Sequence, residues 1–247
     1  GEGANPNAPQ PSESFKARID RVLKRFEQLL GHRDVYFYGI DEAGPGTVRR
    51  EYSGFAYIRS RGGRAFVTSG RFPSAGLAVD ANDEPASIDR EIALRYHAVG
   101  SRVLSYAAPF TGPENPDIWR RTKGMRLYLA DFDGLAEYVW YEGYNIWNDF
   151  VSSGRYKNFN IVYPTADGVI DTVAWEAFRE GFDDVRYATL IRQLAAEALH
   201  SNRPEAIQVA RKALVWLEEI DPETLDLAAM RREMIAWILK LRSARAS

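Results

Sequence analysis

Residues 34–40, Asp-Val-Tyr-Phe-Tyr-Gly-Ile, form an aromatic and β-branched run with no polar alternation, bounded by Gly31 on one side and Ala43-Gly44-Pro45-Gly46 on the other. A run of this kind predicts a strand covered on both faces, which is the habit of parallel sheets flanked by helices. Similar short runs recur at 65–69, 102–107, 136–140 and 159–163, giving five expected strands. Segments with helical spacing separate them. Phe15, Ile19, Val22, Leu23, Phe26, Leu29 and Leu30 share one helical face before the first strand, with Gly31 as the stop. Helices are also expected over 48–60, 87–98 and 113–130, the last interrupted or begun late around Gly124.

Strands that alternate with helices imply parallel pairing through right-handed crossovers. The expected class is therefore α/β, of the (β/α)8 TIM-barrel type. Five strands are fewer than the eight that close such a barrel, so a partial barrel is expected, completed by an upstream segment or chain. From Thr172 onward the pattern is helical in three pieces. The breaks fall near Asn202-Arg203-Pro204 and Asp221-Pro222, each proline suiting a first helical residue and Asp221 suiting an N-cap. The expected organisation is a flexible Gly/Asn/Pro lead-in over 1–11, a barrel region over 12–200 and C-terminal helices over 201–247 packed on the barrel.

Composition removes several kinds of chemistry. No cysteine is present, and the three histidines, His32, His97 and His200, include no pair at the i, i+4 spacing of a helical zinc site. No metal and no cofactor are expected. With 32 basic and 34 acidic residues, the net charge of −2 gives no pull toward nucleic acid or an anionic membrane. No apolar run approaches the roughly 20 residues needed to span a bilayer. The chain opens at Gly1 without a charged and apolar leader, so an export signal would lie outside these residues.

Reactive side chains of parallel α/β folds gather at the carboxyl ends of strands. Asp41 and Glu42 stand at such an end, directly after the first strand. Their simplest reading is an exposed pair that starts a turn; the functional one is an acid pair facing a crevice. The stretch 158–187, NFNIVYPTADGVIDTVAWEAFREGFDDVRY, decides what else to expect. An apolar strand runs into Tyr163-Pro164, a turn contains Gly168, and a helix carries Glu176-Ala177-Phe178-Arg179-Glu180-Gly181-Phe182-Asp183-Asp184. This resembles the closing strand and helix of glycoside hydrolase family 123. Residues 134–150, GLAEYVWYEGYNIWNDF, are similar to that family's penultimate strand and its Tyr-Asn-aromatic-Trp element, here Tyr144-Asn145-Ile146-Trp147.

The resemblance implies that Asp41 and Glu42 are the catalytic dyad of a β-N-acetylhexosaminidase, acting on a terminal N-acetylgalactosamine-like sugar by substrate-assisted retaining catalysis. In that scheme the sugar's own acetamide attacks C1, Glu42 is the acid and base, and Asp41 orients the acetamide. Most retaining glycosidases instead need two carboxyl groups about 5 to 5.5 Å apart. Neighbours on one strand point to opposite faces, which suits Asp41 and Glu42 to the substrate-assisted scheme. Trp140, Tyr141, Tyr144 and Trp147 are the candidate aromatic walls, with Asn145 and Glu137 as further substrate contacts; core packing is the alternative for each ring. The implied partner is a glycan or glycoconjugate, and the implied location is secreted or periplasmic. The chain departs from the family at Ala174, where an Arg is usual, and at Ala43, where a Pro is. Two alternatives stay open: a two-carboxylate glycosidase using Glu137 or Glu142, and a non-catalytic carbohydrate-binding or scaffold module. On the closing helix, Arg179 and Asp183 are expected to pair and, with Asp184, to form a solvated face.

Overall fold

The computed structural model describes residues 10–70, 79–84, 88–106, 115–136, 140–141 and 160–246. They belong to two compact units. The first comprises Gly1–Ala107 with Ala130–Glu137, and the second Ala108–Leu129 with Tyr138–Ser247.

The first unit opens with α1 (Glu13–Leu30), started by Ser12, whose hydroxyl accepts the Phe15 N–H at 3.2 Å. It ends at Gly31, where a φ of 76° is reached without the steric cost of a Cβ. There follow β1 (Tyr36–Tyr38), α2 (Pro45–Ser60), β2 (Arg64–Thr68), β3 (Ala81–Glu84), α3 (Arg90–Ala98) and β4 (Arg102–Ser105), then β5 (Gly134–Leu135). The five strands pair in parallel in the order β1-β2-β3-β4-β5. α2 packs on β2 and α3 on β4. Beneath the sheet Leu23, Val48, Phe55, Ala65, Val67 and Val103 are fully or nearly fully buried.

The opposite face of this sheet is open. Along β1, β2 and β4 burial alternates as far as Val67, with Ala65, Val67, Val103 and Ser105 buried and Tyr36, Tyr38, Arg64 and Arg102 exposed; Thr68, at the end of β2, is buried as well. Coverage of β1 on both faces is therefore corrected: Tyr36 and Tyr38 are 42% and 52% exposed. Tyrosine satisfies an apolar pattern in sequence while tolerating water at its hydroxyl end, so the run hid its own alternation.

The second unit is helical. It contains α4 (Pro116–Lys123), α5 (Met125–Leu129), the antiparallel pair β6 (Val162–Pro164) and β7 (Val169–Asp171), then α6 (Val173–Leu199), α7 (Pro204–Glu218) and α8 (Leu227–Ala246). Thr172 caps α6 by accepting the Trp175 N–H. The last three helices enclose a core of Ile191, Ala195, Ala206, Ala213, Leu217, Met230, Met234 and Leu241. Pro204 is the first residue of α7 as expected, but α8 starts five residues after Pro222. Asp221 instead closes a turn on Glu223 and Thr224, and Asp226 accepts the Ala229 N–H.

The expectation of a partial (β/α)8 barrel with about five strands drawn from the predicted segments is overturned. Helices hold most of the described residues, and the strands run for only two to five residues. The segment expected as the last parallel strand, 159–163, supplies β6 of an antiparallel pair in the other unit. A barrel interior is filled by layers of inward side chains, whereas on the equivalent face here Tyr36, Tyr38, Arg64 and Arg102 are exposed. β3 reads Ala-Asn-Asp-Glu, a polar segment with no strand propensity, held by parallel neighbours on both sides.

α4 and α5 are separated at Gly124, which lies against Gly181 of α6. A Cβ on Gly124 would sit 2.7 Å from the Arg120 carbonyl and 2.8 Å from that of Gly181. Only two glycines allow the backbones to approach this closely. Next to the crossing, Asp184 is 1% exposed, not solvated. It accepts from Arg120 Nε and Nη2 at 2.6 and 2.9 Å and from Arg231 Nε at 2.7 Å. Arg179 does pair with Asp183, at 3.6 Å, but its shorter partner is Glu176 at 2.8 Å. No helix among the described residues is long and apolar enough to cross a membrane.

Candidate functional site

β1 ends at Tyr38, three residues before Asp41, so the dyad lies on a turn leading into α2 and not on the strand itself. The strand-parity argument for opposite faces does not apply to it. Glu42 has a φ of 46°, in the left-handed region that side chains other than glycine seldom occupy. Such conformations persist where surrounding contacts over-determine them. Here the Ala43 N–H donates to the Thr68 carbonyl at 3.1 Å, and the Ser69 hydroxyl donates to the Ala43 carbonyl at 3.0 Å. The end of β2 thus pins the residue after the dyad. The dyad also precedes the first turn of α2, where negative charge is favoured by the unpaired N–H groups of the helix start.

Each acid is held by its own tyrosine. The Tyr38 hydroxyl donates to Asp41 Oδ1 at 2.5 Å. A phenol has one proton to give, so the contact between Tyr38 and Thr68 has the threonine hydroxyl donating to the phenol oxygen. The Tyr106 hydroxyl, arriving from just beyond β4, donates to Glu42 Oε1 at 2.7 Å. Three strand ends of the first unit therefore converge on the pair. Asp41 and Glu42 are both exposed. Behind the turn lies a third carboxyl: Glu51 of α2 accepts the Ile40 N–H at 3.3 Å through each oxygen. Burial pushes the Glu51 carboxyl above its ordinary range, and the Ile40 contact offsets this in part.

Tyr38, Thr68 and Tyr106 were not singled out from sequence as parts of this site. The signal was available: residues at the carboxyl ends of neighbouring parallel strands meet on one rim. Of the expected aromatic walls, Trp140 and Tyr141 are described, and both are exposed. Trp140 belongs to the second unit, meets Trp175 edge-on at 5.0 Å, and through its carbonyl accepts the Ile161 and Val162 N–H groups. The dyad belongs to the first. Glu137, Glu142, Tyr144, Asn145 and Trp147 lie outside the described residues. Ala174, where the resemblance led an arginine to be expected, is fully buried beside Trp119 and Ala177. Among the described residues no cluster of three or more His, Asp or Glu side chains could hold a metal ion. No protein-family model and no curated protein sequence matches the chain.

Proposed function

We propose that the chain is a glycoside hydrolase that removes a terminal β-linked N-acetylhexosamine, with Asp41 and Glu42 as its catalytic pair. The observation that carries this reading is the division of labour around the turn: two adjacent acids, each gripped by a different tyrosine and pinned from behind by β2. The order of the family 123-like landmarks along the chain adds to it. In the reaction, the acetamide oxygen of the sugar attacks C1 while the bond from C1 to the leaving oxygen breaks. Glu42 gives its proton to that oxygen, and an oxazolinium ion forms. Asp41 accepts the acetamide N–H and offsets the positive charge that develops on the ring. Water then adds to C1, losing a proton to the Glu42 carboxylate, and the acetamide is restored with retention at C1.

Hydrolysis of an aryl β-N-acetylhexosaminide tests the proposal. Turnover is expected in the wild type, with near-total loss in Glu42→Gln and inhibition by a thiazoline mimic of the cyclised intermediate. Equal cleavage of aryl glycosides that lack the acetamido group would exclude the substrate-assisted scheme. A non-catalytic sugar-binding module is the second reading, favoured by the exposure of both acids, since a carboxyl works best as a proton donor when desolvated. Sugar binding without turnover would select it.

A further inference from the structure

The open face of the parallel sheet carries a hollow of about 460 Å³ lined by Tyr36, Phe66, Ala81, Arg102, Leu104 and Asp133. Tyr36, Ala81 and Arg102 are the first residues of β1, β3 and β4, and Asp133 immediately precedes β5. The hollow therefore sits at the amino ends of the strands, opposite the rim that bears Asp41 and Glu42. Its volume falls within the range of small-molecule sites, which combine apolar walls with a few placed polar groups.

Two opposite charges line this hollow without pairing with each other. Among the described residues Arg102 has one hydrogen bond, a long 3.5 Å contact from Nη1 to the Tyr36 hydroxyl, and no ion pair. Most of its five donors are left for another acceptor. Asp133 is half used. Its Oδ2 takes the Val103 N–H at 2.9 Å and faces His97 Nε2 at 2.9 Å, which fixes the carboxylate in place and leaves Oδ1 open. Phe66 of β2 and Leu104 of β4 supply apolar lining, and Tyr36 stands edge-on to Phe66 at 6.5 Å. Nearby Arg64 does not compete for the same ligand, because it is paired with Asp34.

We infer that this hollow is a second binding site, for a small zwitterion with an apolar side chain, of which an α-amino acid is the simplest member. The carboxylate is held by the Arg102 guanidinium, the ammonium by Asp133 Oδ1, and the side chain lies on Phe66 and Leu104. A ligand carrying only one charge satisfies only one end. Neither Asp41 nor Glu42 takes part, so the inference stands apart from the hydrolase proposal.

Calorimetric titration of the whole chain with L-phenylalanine tests it. Saturable binding is expected, with affinity reduced at least about tenfold in Arg102→Met and in Asp133→Asn. The asparagine can still accept the Val103 N–H, so the backbone around β5 keeps its partner. Arg64→Met, outside the hollow, is expected to bind as the wild type does. Phenylpropionate and phenethylamine, each lacking one charge, are titrated against the wild type and need no variant to fold; both are expected to bind at least about tenfold more weakly than phenylalanine. Absence of saturation at millimolar phenylalanine would overturn the inference, as would equal affinity for either single-charge analogue or an Arg64→Met loss as large as that of Arg102→Met.

Discussion

Asp184→Ala is the perturbation whose outcome follows most directly from the geometry. The carboxylate is 1% exposed and holds Arg120 of α4 and Arg231 of α8 against α6 through charge-assisted contacts of 2.6 to 2.9 Å. Each such contact is worth roughly 1.5 to 3 kcal/mol taken singly. They are not additive, because both arginines keep other acceptors. Arg120 retains the Leu227 carbonyl at 3.3 Å, and Arg231 retains the Glu180 carbonyl at 2.8 Å and the Glu180 carboxylate. Removing one member of a buried pair costs about 3 to 5 kcal/mol, and the retained contacts place this case at the lower end, about 3 kcal/mol. For a chain of this length that corresponds to a drop of roughly 6 to 12 °C in melting temperature. Circular dichroism at about 222 nm reads it directly, since α4 to α8 supply much of the helix. A variant melting within about 2 °C of the wild type would show that the two arginines find equivalent partners, and the account of Asp184 as the junction of three helices would be wrong.

Gly181→Ala should destabilise, although alanine normally strengthens a helix by up to about 1 kcal/mol; the new Cβ meets the Arg120 carbonyl at 2.8 Å and Gly124 N at 3.3 Å, and a higher urea midpoint would contradict the crossing. Glu51→Gln should raise stability at neutral pH. The folded carboxyl titrates above its ordinary value, so the folded state binds more protons between the two values, and wild-type stability falls as pH rises through that window. The advantage of the variant should vanish in acid and level off above the window, and a melting difference independent of pH from about 3 to 8 would refute the desolvation argument. Under the hydrolase proposal, Tyr106→Phe removes the hydroxyl on Glu42 and should lower kcat by roughly 10- to 100-fold with KM little changed. An unchanged kcat would make that contact incidental.

The helices were legible because their signals are local. Gly31, Thr172 and Pro204 act within one turn of their own position, and all three mark observed helix ends or starts. Asp221 carries the same local signal and was misread, because an Asx turn on Glu223 and Thr224 uses the carboxylate in the way an N-cap would. The strands were harder to place. Tyr36 and Tyr38 read as buried and are exposed, the polar β3 had no signal of its own, and 159–163 carried an apolar pattern that fits a parallel or an antiparallel partner equally well.

The candidate site divides along the same line. Sequence alone determined that two adjacent acids follow an aromatic strand, that no thiol chemistry is available, and that the last third of the chain is helical, because residue identity and short-range spacing suffice for each. Only the tertiary structure decided that Tyr106 reaches Glu42 across 64 positions, that Asp184 is buried between two arginines, and that Arg102 and Asp133 line one hollow without pairing with each other. Those are pairings between distant segments. Their energies depend on distance and on exclusion of water, which a linear pattern does not carry.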